Sequence, residues 1–196
     1  MKNICVFCSS SNEVDKKFFE DAREMGRLIG KAGFNFVYGG STLGLMGESA
    51  KGARENGSKI IGIMPKKLRD YGISSGNCDE FYVTKGMRER KAKLDELSDA
   101  VIALPGGFGT LEEISEIIVQ KHLGYSDKPI VFLNTAGFYN NLIDFFNQII
   151  DKSFAQKSMR EAYYIADTPK EAIDYIINYK PDRTPKKFED IYVGSK

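Results

Sequence analysis

Short apolar runs alternate with amphipathic segments along most of the chain. The apolar runs predict strands at Ile4–Cys8, Phe34–Tyr38, Lys59–Met64, Glu80–Thr84, Ala100–Leu104 and Pro129–Leu133, with a further short strand at Tyr163–Ile165. Apolar residues at helical spacing predict helices around Phe18–Ile29, Glu48–Asn56, Met87–Ser98, Leu111–Leu123, Phe138–Phe154 and Pro169–Asn178. Five of the strands are nearly continuous in apolar residues, as expected when helices cover both faces of a sheet. The pattern therefore predicts a doubly wound, Rossmann-like α/β fold with a mostly parallel sheet.

Length and composition narrow the class of protein. The 196 residues suffice for one domain with an ample core, so we expect one domain over residues 1–179 and a peripheral tail over residues 180–196. The 28 basic and 27 acidic residues nearly cancel, which gives no reason to expect nucleic acid or a membrane as a partner. No apolar run approaches the roughly 18 residues of a membrane helix. The short apolar part of the N-terminus and the three cysteines favour a cytoplasmic protein.

The chemistry is concentrated after the fifth predicted strand, in Pro105-Gly106-Gly107-Phe108-Gly109-Thr110-Leu111-Glu112-Glu113. A strand, a glycine turn and a helix start follow one another here. Glycines allow the backbone to approach a bound group closely, and a helix N-terminus presents unpaired N–H groups to an anion. Two carboxylates in the first helical turn are not needed by a structural loop. The segment therefore has the features of an active site.

A second glycine cluster, Gly39 to Gly47, follows the second predicted strand. It is not GxGxxG, and no acidic residue ends the next strand as a dinucleotide site would require. It is not a Walker loop either, since no Gly-Lys-Ser/Thr closes it. The cluster is either a tight strand-to-helix turn or a ligand site at the carboxyl end of the sheet.

Two cations occupy a helix face that should pack on the sheet. Arg90 and Lys91 share this face with Met87, Leu94 and Leu97. Burying the cations without partners would cost several kcal/mol. They therefore either reach water at the helix edge or pair with an anion, and the nearby carboxylate-bearing loop favours an anion in a ligand site.

The two carboxylates of the glycine segment are not equivalent. Glu113 lies about 40° around the helix from Ile117 and so borders the buried stripe, whereas Glu112 points away from it. We therefore expect Glu113 at the margin of a pocket and Glu112 as a charge partner of the helix dipole.

The other reactive residue types give no further site. Cys5 and Cys8 form a CxxC in a predicted strand, where side chains three apart point to opposite faces, so we interpret them as structural. His122 is the sole histidine and lies near a helix C-terminus, where a structural role is favoured. No cluster of histidines or cysteines indicates a catalytic metal, and we expect no cofactor.

In combination, Arg90-Lys91 preceded by Met87 and the Pro105–Glu113 stretch resemble the LOG (Lonely Guy) family, whose motif is PGGxGTxxE. The similarity runs from Val6 to about Thr168. Ser9 and Ser41 depart from it, since many relatives carry glycine at these positions, and these substitutions leave the base preference open.

The resemblance implies hydrolysis of the N-glycosidic bond of a nucleoside 5′-monophosphate, either AMP or an N6-modified cytokinin nucleotide. It implies catalytic roles for Arg90 and Glu113 and a homodimer without a cofactor. The substrate-binding residues that we expect are Met87, Lys91, Gly106, Gly107, Phe108, Gly109, Thr110, Gly40 and Ser41. The chemistry agrees with this assignment, since a carboxylate can stabilise the positive charge that develops on the ribose.

Two other classes of function remain open to test. A carrier of a nucleotide or cofactor could share this fold, although the co-occurrence of Arg90 and Glu113 argues against it. A pyridoxal-dependent decarboxylase is the second, because such sequences have carried the label lysine decarboxylase. Enzymes of that kind are usually far longer, and no lysine here has an evident Schiff-base context.

Overall fold

The computed structural model describes residues 1–73 and 77–181, and within them one sheet contains seven strands. The strands are β1 (Asn3–Phe7), β2 (Asn35–Tyr38), β3 (Ile60–Pro65), β4 (Glu80–Thr84), β5 (Ala100–Ala103), β6 (Ile130–Leu133) and β7 (Tyr164–Ala166). Their order is β4-β3-β2-β1-β5-β6-β7, and every neighbouring pair is parallel. The predicted doubly wound α/β fold is therefore confirmed.

Helices connect the strands and cover both faces of the sheet. They are α1 (Lys16–Lys31), α2 (Gly44–Glu55), α3 (Lys66–Asp70), α4 (Met87–Glu96), α5 (Phe108–His122), α6 (Asn140–Asp151) and α7 (Pro169–Asn178), with short 3-10 turns at Thr135–Gly137 and Lys157–Glu161. None of the helices in the described ranges has the length and apolar character needed to cross a membrane. The tail expected from residue 180 lies, from residue 182 onward, outside the described residues.

The helix starts differ most from the sequence-based expectations. α2 begins at Gly44 rather than at Glu48, and α5 begins at Phe108 rather than near Thr110. In both cases glycines, which favour loops, occupy the first turn of the helix. The five-residue α3 was not predicted, because it is too short to show an apolar period.

Alternating side chains of the strands build a separate core on each face. Ile4, Val6 and Cys8 pack in the core beneath α1, α2 and α7, whereas Cys5 and Phe7 pack in the core beneath α4, α5 and α6. The five inner strands β1, β2, β3, β5 and β6 are thus buried on both faces, which explains their nearly unbroken apolar sequences, whereas the edge strands β4 and β7 are only partly buried.

Glycine brings the backbones of α1 and α2 into direct contact. A Cβ atom on Gly26 of α1 would lie 1.9 Å from the carbonyl oxygen of Ser49 in α2. At the start of α2, Leu45 N–H donates to the carbonyl oxygen of Ser9, 3.0 Å away, in the loop after β1. The loop after β1 and the glycine cluster after β2 are therefore held together as one unit.

Candidate active site

A crevice opens at the carboxyl edge of the sheet, between the loops that follow β1 and β5. The strand order runs outward in opposite directions from these two neighbours, so their loops diverge, and α/β folds bind ligands at such a point. The crevice has a volume of about 210 Å³. Its lining comprises Ser9, Val14, Phe18, Leu45, Pro105, Gly106, Gly107 and Phe138.

The predicted glycine turn forms one wall of this crevice. Ser9 N–H donates to the carbonyl oxygen of Pro105 at 3.1 Å, which fixes the turn to the loop after β1. Helix α5 follows at once, and its first helical hydrogen bond runs from Leu111 N–H to the carbonyl oxygen of Gly107, 3.1 Å away. The N–H groups of residues 108–110 precede that bond and lie at the positive end of the helix dipole. The turn is therefore built to receive an anion.

Thr110 is the buried side chain of the first turn of α5. A Cβ atom on Gly106 would lie 2.1 Å from Thr110 Oγ1, so the hydroxyl group packs directly against the glycine. By contrast, a Cβ atom on Gly107 or Gly109 would meet nothing within 4 Å. Phe108 is 93% exposed. The segment thus combines one closely packed glycine with an open backbone surface.

Arg90 and Glu113 form a buried ion pair between α4 and α5. Each residue is only 6% exposed, and Arg90 Nη1 contacts Glu113 Oε1 directly. Arg90 Nε also donates to the carbonyl oxygen of Ile63 in β3 at 3.2 Å. The two residues that sequence reasoning selected as catalytic are therefore in contact, and Glu113 lies one helical turn beyond Thr110.

The pair places a carboxylate in a nearly dry environment. Burial raises the pKa of Glu113, and the attraction of Arg90 opposes this rise without cancelling it. Such a carboxylate is poorly solvated and interacts strongly with any positive charge that develops beside it.

Lys91 and Met87 lie at the edge of the pair. The ammonium group of Lys91 contacts Glu112 and lies 2.7 Å from Glu116 Oε2, both on α5. These hydrogen bonds raise the pKa of Lys91 and keep it charged. Glu112, which we expected to act on the helix dipole, thus has a side-chain partner. Met87, at the start of α4, is half-exposed.

Gly40 and Ser41, the predicted binding residues of the second glycine cluster, lie in different surroundings. Gly40 has a φ of +75°, and a Cβ atom there would lie 2.8 Å from the ring of Phe81. Ser41 is buried and accepts a hydrogen bond from Leu43 N–H at 3.1 Å. Ser41 lines a separate cleft of about 350 Å³ beside α2. A Cβ atom built on Gly40 would meet Phe81 and β3, whereas one built on the neighbouring Gly39 would meet the Arg90 guanidinium group.

Sequence reasoning missed three contributors to the site. The first is Gly39, because a Cβ atom there would lie 2.4 Å from Arg90 Nη2. The second is the carbonyl group of Ile63, which accepts a hydrogen bond from Arg90. The third is Tyr139, whose Oη donates to the carbonyl oxygen of Leu104 at 2.7 Å. The glycine cluster after β2 was a sequence signal for Gly39. The sequence holds no signal for the other two contributors, because the carbonyl group of Ile63 belongs to the backbone and Tyr139 looks like an ordinary core residue.

The described residues contain no group of three or more histidine, cysteine or acidic side chains that could hold a metal ion. Cys5 and Cys8 are free, buried thiols in the two opposite cores. This placement agrees with the interpretation of Cys5 and Cys8 as structural residues.

Comparison with known proteins identifies the family. The family model described as "Possible lysine decarboxylase" matches residues 46–176. The cytokinin riboside 5′-monophosphate phosphoribohydrolase LOG5 of Arabidopsis thaliana is 38% identical over 180 residues, which cover 92% of this chain and 79% of the relative. LOG1 of the same plant is 37% identical, over 98% of this chain and 92% of the relative.

Solved structures share the fold. The Moco carrier protein of Chlamydomonas reinhardtii matches with a TM-score of 0.69 and 25% identity, over 90% of this chain and 96% of that one. The molybdenum cofactor binding protein of Rippkaea orientalis matches with a TM-score of 0.68 and 24% identity, over 90% and 96% of the two chains. The fold is thus shared with carriers, whereas the extended sequence identity is with hydrolases. On that identity, and with the motif residues assembled at one edge of the sheet, the chain belongs to the LOG family of phosphoribohydrolases.

Proposed function

We propose that this protein hydrolyses the N-glycosidic bond of an adenine-type nucleoside 5′-monophosphate and releases the free base and ribose 5-phosphate. The observation that carries the proposal is the buried Arg90–Glu113 pair, one helical turn from the anion-binding end of α5. The relatives named as phosphoribohydrolases support the same reaction.

In the proposed mechanism, Glu113 acts on the sugar. Cleavage of the N-glycosidic bond develops positive charge on the ribose, as in other glycoside hydrolyses. A buried carboxylate next to the ribose stabilises this charge and orients the attacking water. Arg90 remains protonated, so it serves as an electrostatic group that holds Glu113 in place.

The phosphate group of the substrate is assigned to the turn from Gly106 to Thr110. The N–H groups at the start of α5 and the hydroxyl group of Thr110 suit a phosphate there. Phe108, which is exposed, and Met87 supply apolar surface for the base. Gly40 and Ser41 are proposed as outer contacts, with Ser41 facing the cleft beside α2.

We also propose a homodimer in the cytoplasm. Beside α6, which carries the exposed Phe145, lies an apolar groove of about 160 Å³ that Ile118, Val119, Phe146, Ile149, Met159 and Tyr163 help to line. Size-exclusion chromatography at micromolar concentration should give a dimer, and Phe145→Asp should shift it toward the monomer. A monomer in both cases would contradict this part of the proposal.

The test of the reaction is release of free base from AMP and from isopentenyladenosine monophosphate. The wild type should produce adenine or isopentenyladenine together with ribose 5-phosphate, whereas Glu113→Gln and Arg90→Ala should lose activity by roughly 100-fold or more with folding retained. Lys170→Ala, on the distant α7, serves as the control. Binding of either nucleotide without release of base would favour a carrier, and undiminished turnover in Glu113→Gln would remove the catalytic assignment.

A further inference from the structure

We infer that Tyr139 is a positioning residue for the turn that receives the substrate phosphate. Its hydroxyl group holds the carbonyl group of Leu104, which immediately precedes Pro105 in the chain. Through this contact it fixes the direction in which the turn from Gly106 to Thr110 leaves the sheet. The role rests on the proposed function, which assigns the phosphate of the substrate to that turn.

The hydrogen bonds at the end of β5 pass from the sheet to neighbouring loops. Leu104 N–H still donates to the carbonyl oxygen of Phe7 in β1, 2.9 Å away, whereas the pairing of β5 with β6 ends one residue earlier. The carbonyl group of Leu104 instead accepts from Tyr139 Oη at 2.7 Å. The next carbonyl group, that of Pro105, accepts from Ser9 N–H at 3.1 Å. Two successive carbonyl groups are therefore held by two different loops just before the glycines begin.

This pattern decides which backbone groups remain for a ligand. Pro105 has no N–H group, so Gly106 supplies the first donor of the turn. Within residues 1–73 and 77–181, no backbone carbonyl group accepts from Gly106 N–H. The unpaired N–H groups at the start of α5 follow directly. With the two preceding carbonyl groups held elsewhere, the turn presents successive donors, and such a row of N–H groups binds anions.

Tyr139 is itself firmly held. It is 5% exposed, and its ring packs edge-on against Phe132, with the ring centroids 5.0 Å apart. Its N–H group donates to Asn134 Oδ1 at 2.8 Å, and Asn134 Nδ2 donates to Asn140 Oδ1 at 2.8 Å. Burial raises the pKa of the Tyr139 hydroxyl group, which therefore keeps its proton and remains a hydrogen-bond donor. The hydroxyl group thus has a fixed place from which to hold a carbonyl group.

The loop after β6, which leads to this tyrosine, is shaped by contacts with α1 and with the crevice. Thr135 Oγ1 donates to Asp21 Oδ2 of α1 at 2.6 Å. Ala136 has a φ of +54°, a strained conformation for a residue other than glycine. Phe138 lines the crevice and packs edge-on against Phe18, with the ring centroids 5.9 Å apart. The loop after β6 is therefore a third wall of the crevice, beside the loops after β1 and β5.

The alternative is a tyrosine that only stabilises the core. A buried carbonyl group without a donor lowers stability wherever it lies, so a loss of stability does not distinguish the two roles. The position of Leu104 does. Pro105 follows it, and a proline ring holds φ nearly constant. A rotation of the Leu104 carbonyl group is therefore passed on to Gly106 instead of being absorbed between them.

The test compares Tyr139→Phe with the matched control Tyr164→Phe. Both variants remove one hydroxyl group that donates a hydrogen bond, but Tyr164 lies in the edge strand β7 and donates to Glu171 of α7. Titration calorimetry measures the dissociation constant of ribose 5-phosphate. We expect Tyr139→Phe to raise it roughly tenfold and Tyr164→Phe to leave it within about twofold of the wild type. Adenine, which carries no phosphate, should bind Tyr139→Phe and the wild type equally well.

Steady-state kinetics with AMP give a second readout. Tyr139→Phe should raise KM roughly tenfold and change kcat by less than about threefold, because the lost interaction concerns a part of the substrate that does not react. Arg90 and Glu113 are held separately by α4, α5 and the carbonyl group of Ile63. A fall in kcat with unchanged KM would overturn the inference, since the hydroxyl group would then act on the reacting centre.

Asn134→Ala reaches the same anchor by another route. It removes the acceptor of Tyr139 N–H but keeps the hydroxyl group, so it should raise the dissociation constant of ribose 5-phosphate by a smaller factor. This variant decides the matter if Tyr139→Phe does not fold. Unchanged affinity together with a lowered thermal midpoint would leave Tyr139 a structural residue and overturn the inference. An equal loss of affinity in Tyr164→Phe would overturn it as well.

The binding measurement separates the role of Tyr139 from the proposed reaction. If the wild type binds ribose 5-phosphate but releases no base from AMP, the reaction is refuted, and the affinity of Tyr139→Phe still decides the role of the tyrosine. If the wild type hydrolyses AMP and Tyr139→Phe binds ribose 5-phosphate equally well, only the positioning role is refuted. A wild type that does not bind ribose 5-phosphate would overturn both the phosphate assignment and the inference.

Discussion

Arg90 occupies the space that a side chain on Gly39 would fill. The distance from an ideal Cβ atom on Gly39 to Arg90 Nη2 is 2.4 Å, which is well inside van der Waals contact. The glycine at the end of β2 therefore creates the room in which the guanidinium group reaches Glu113.

Replacement of this glycine should displace Arg90. Gly39 does not have a positive φ, so the backbone tolerates alanine, and the clash falls on the guanidinium group. We expect Gly39→Ala to lower kcat by roughly 100-fold, because small displacements of catalytic groups are costly. Gly86→Ala is the control, since a Cβ atom there meets nothing within 4 Å. Steady-state kinetics with AMP measure both variants, and equal rates for Gly39→Ala and wild type would contradict the prediction.

Gly106 should matter for the phosphate group rather than for the sugar. A methyl group at this position would collide with the side chain of Thr110 and push it out of the first turn of α5. We expect Gly106→Ala to raise both KM and the inhibition constant of ribose 5-phosphate roughly tenfold or more. The two constants are measured in the same base-release assay. A loss of kcat alone would place the phosphate elsewhere.

The sequence predicted the parallel sheet well, and it indicated that Arg90 needs an anionic partner without deciding between a protein carboxylate and a ligand, because both inferences depend on patterns that neighbouring residues carry. Unbroken apolar runs indicate buried strands, and two cations on a packing face require an anion. The role of Gly39 could not be predicted, since it depends on the distance between a backbone atom and a side chain 51 positions away, and sequence gives no such distance. The contact of Tyr139 with Leu104 was hidden for the same reason.

As the pH is lowered, activity should be lost at a higher pH than it would be if the catalytic glutamate had the usual pKa. Burial raises the pKa of Glu113 above the usual value of 4.5, so the carboxyl group retains its proton to higher pH. The reaction requires the ionised form, so the acidic limb of kcat/KM should have its midpoint above pH 4.5. A pH–rate profile of the wild type measures this midpoint. A midpoint at or below the usual value would show that Glu113 is not the titrating group.

The buried charge of Glu113 should also cost stability. Because the folded pKa is raised, protonated Glu113 favours folding at pH values below its unfolded pKa, and this contribution is lost as the pH rises through the folded pKa. At neutral pH, Glu113→Gln alone should be less stable than the wild type, because it leaves the charge of Arg90 buried without its carboxylate partner. The double variant Arg90→Met, Glu113→Gln removes both charges and should regain most of that loss. Urea unfolding at pH 7 compares the three proteins, and a double variant that is no more stable than Glu113→Gln would contradict the prediction.

The cysteines should differ in reactivity. Burial raises the pKa of the Cys5 thiol to about 12 and raises that of Cys8 as well, whereas Cys78 is only partly buried. In native protein at pH 8, a thiol reagent should modify one cysteine quickly, and all three should react after unfolding. Rapid modification of Cys5 or Cys8 in the native protein would reopen a chemical role for the CxxC.

The glycine clusters explain why the sequence predicted two helices to start several residues after their true first residue. Glycine is unfavourable inside a helix, so sequence reasoning assigned Gly44 and Gly109 to loops. In the structure both lie in the first turn of a helix. Gly44 has a φ of +55°, and a Cβ atom there would lie 2.5 Å from the backbone of Ser10. This close approach is a tertiary requirement, which local propensity does not contain.

The crevice and a set of open turns lie at opposite edges of the parallel sheet. The crevice lies at the carboxyl edge, whereas the turns at Gly33, Gly57 and Gly124 lead into β2, β3 and β6 at the opposite edge. A Cβ atom on any of these three glycines would meet nothing within 4 Å. A tag, a fluorescent reporter or a surface tether attached at the amino edge would therefore lie on the opposite side of the sheet from the crevice.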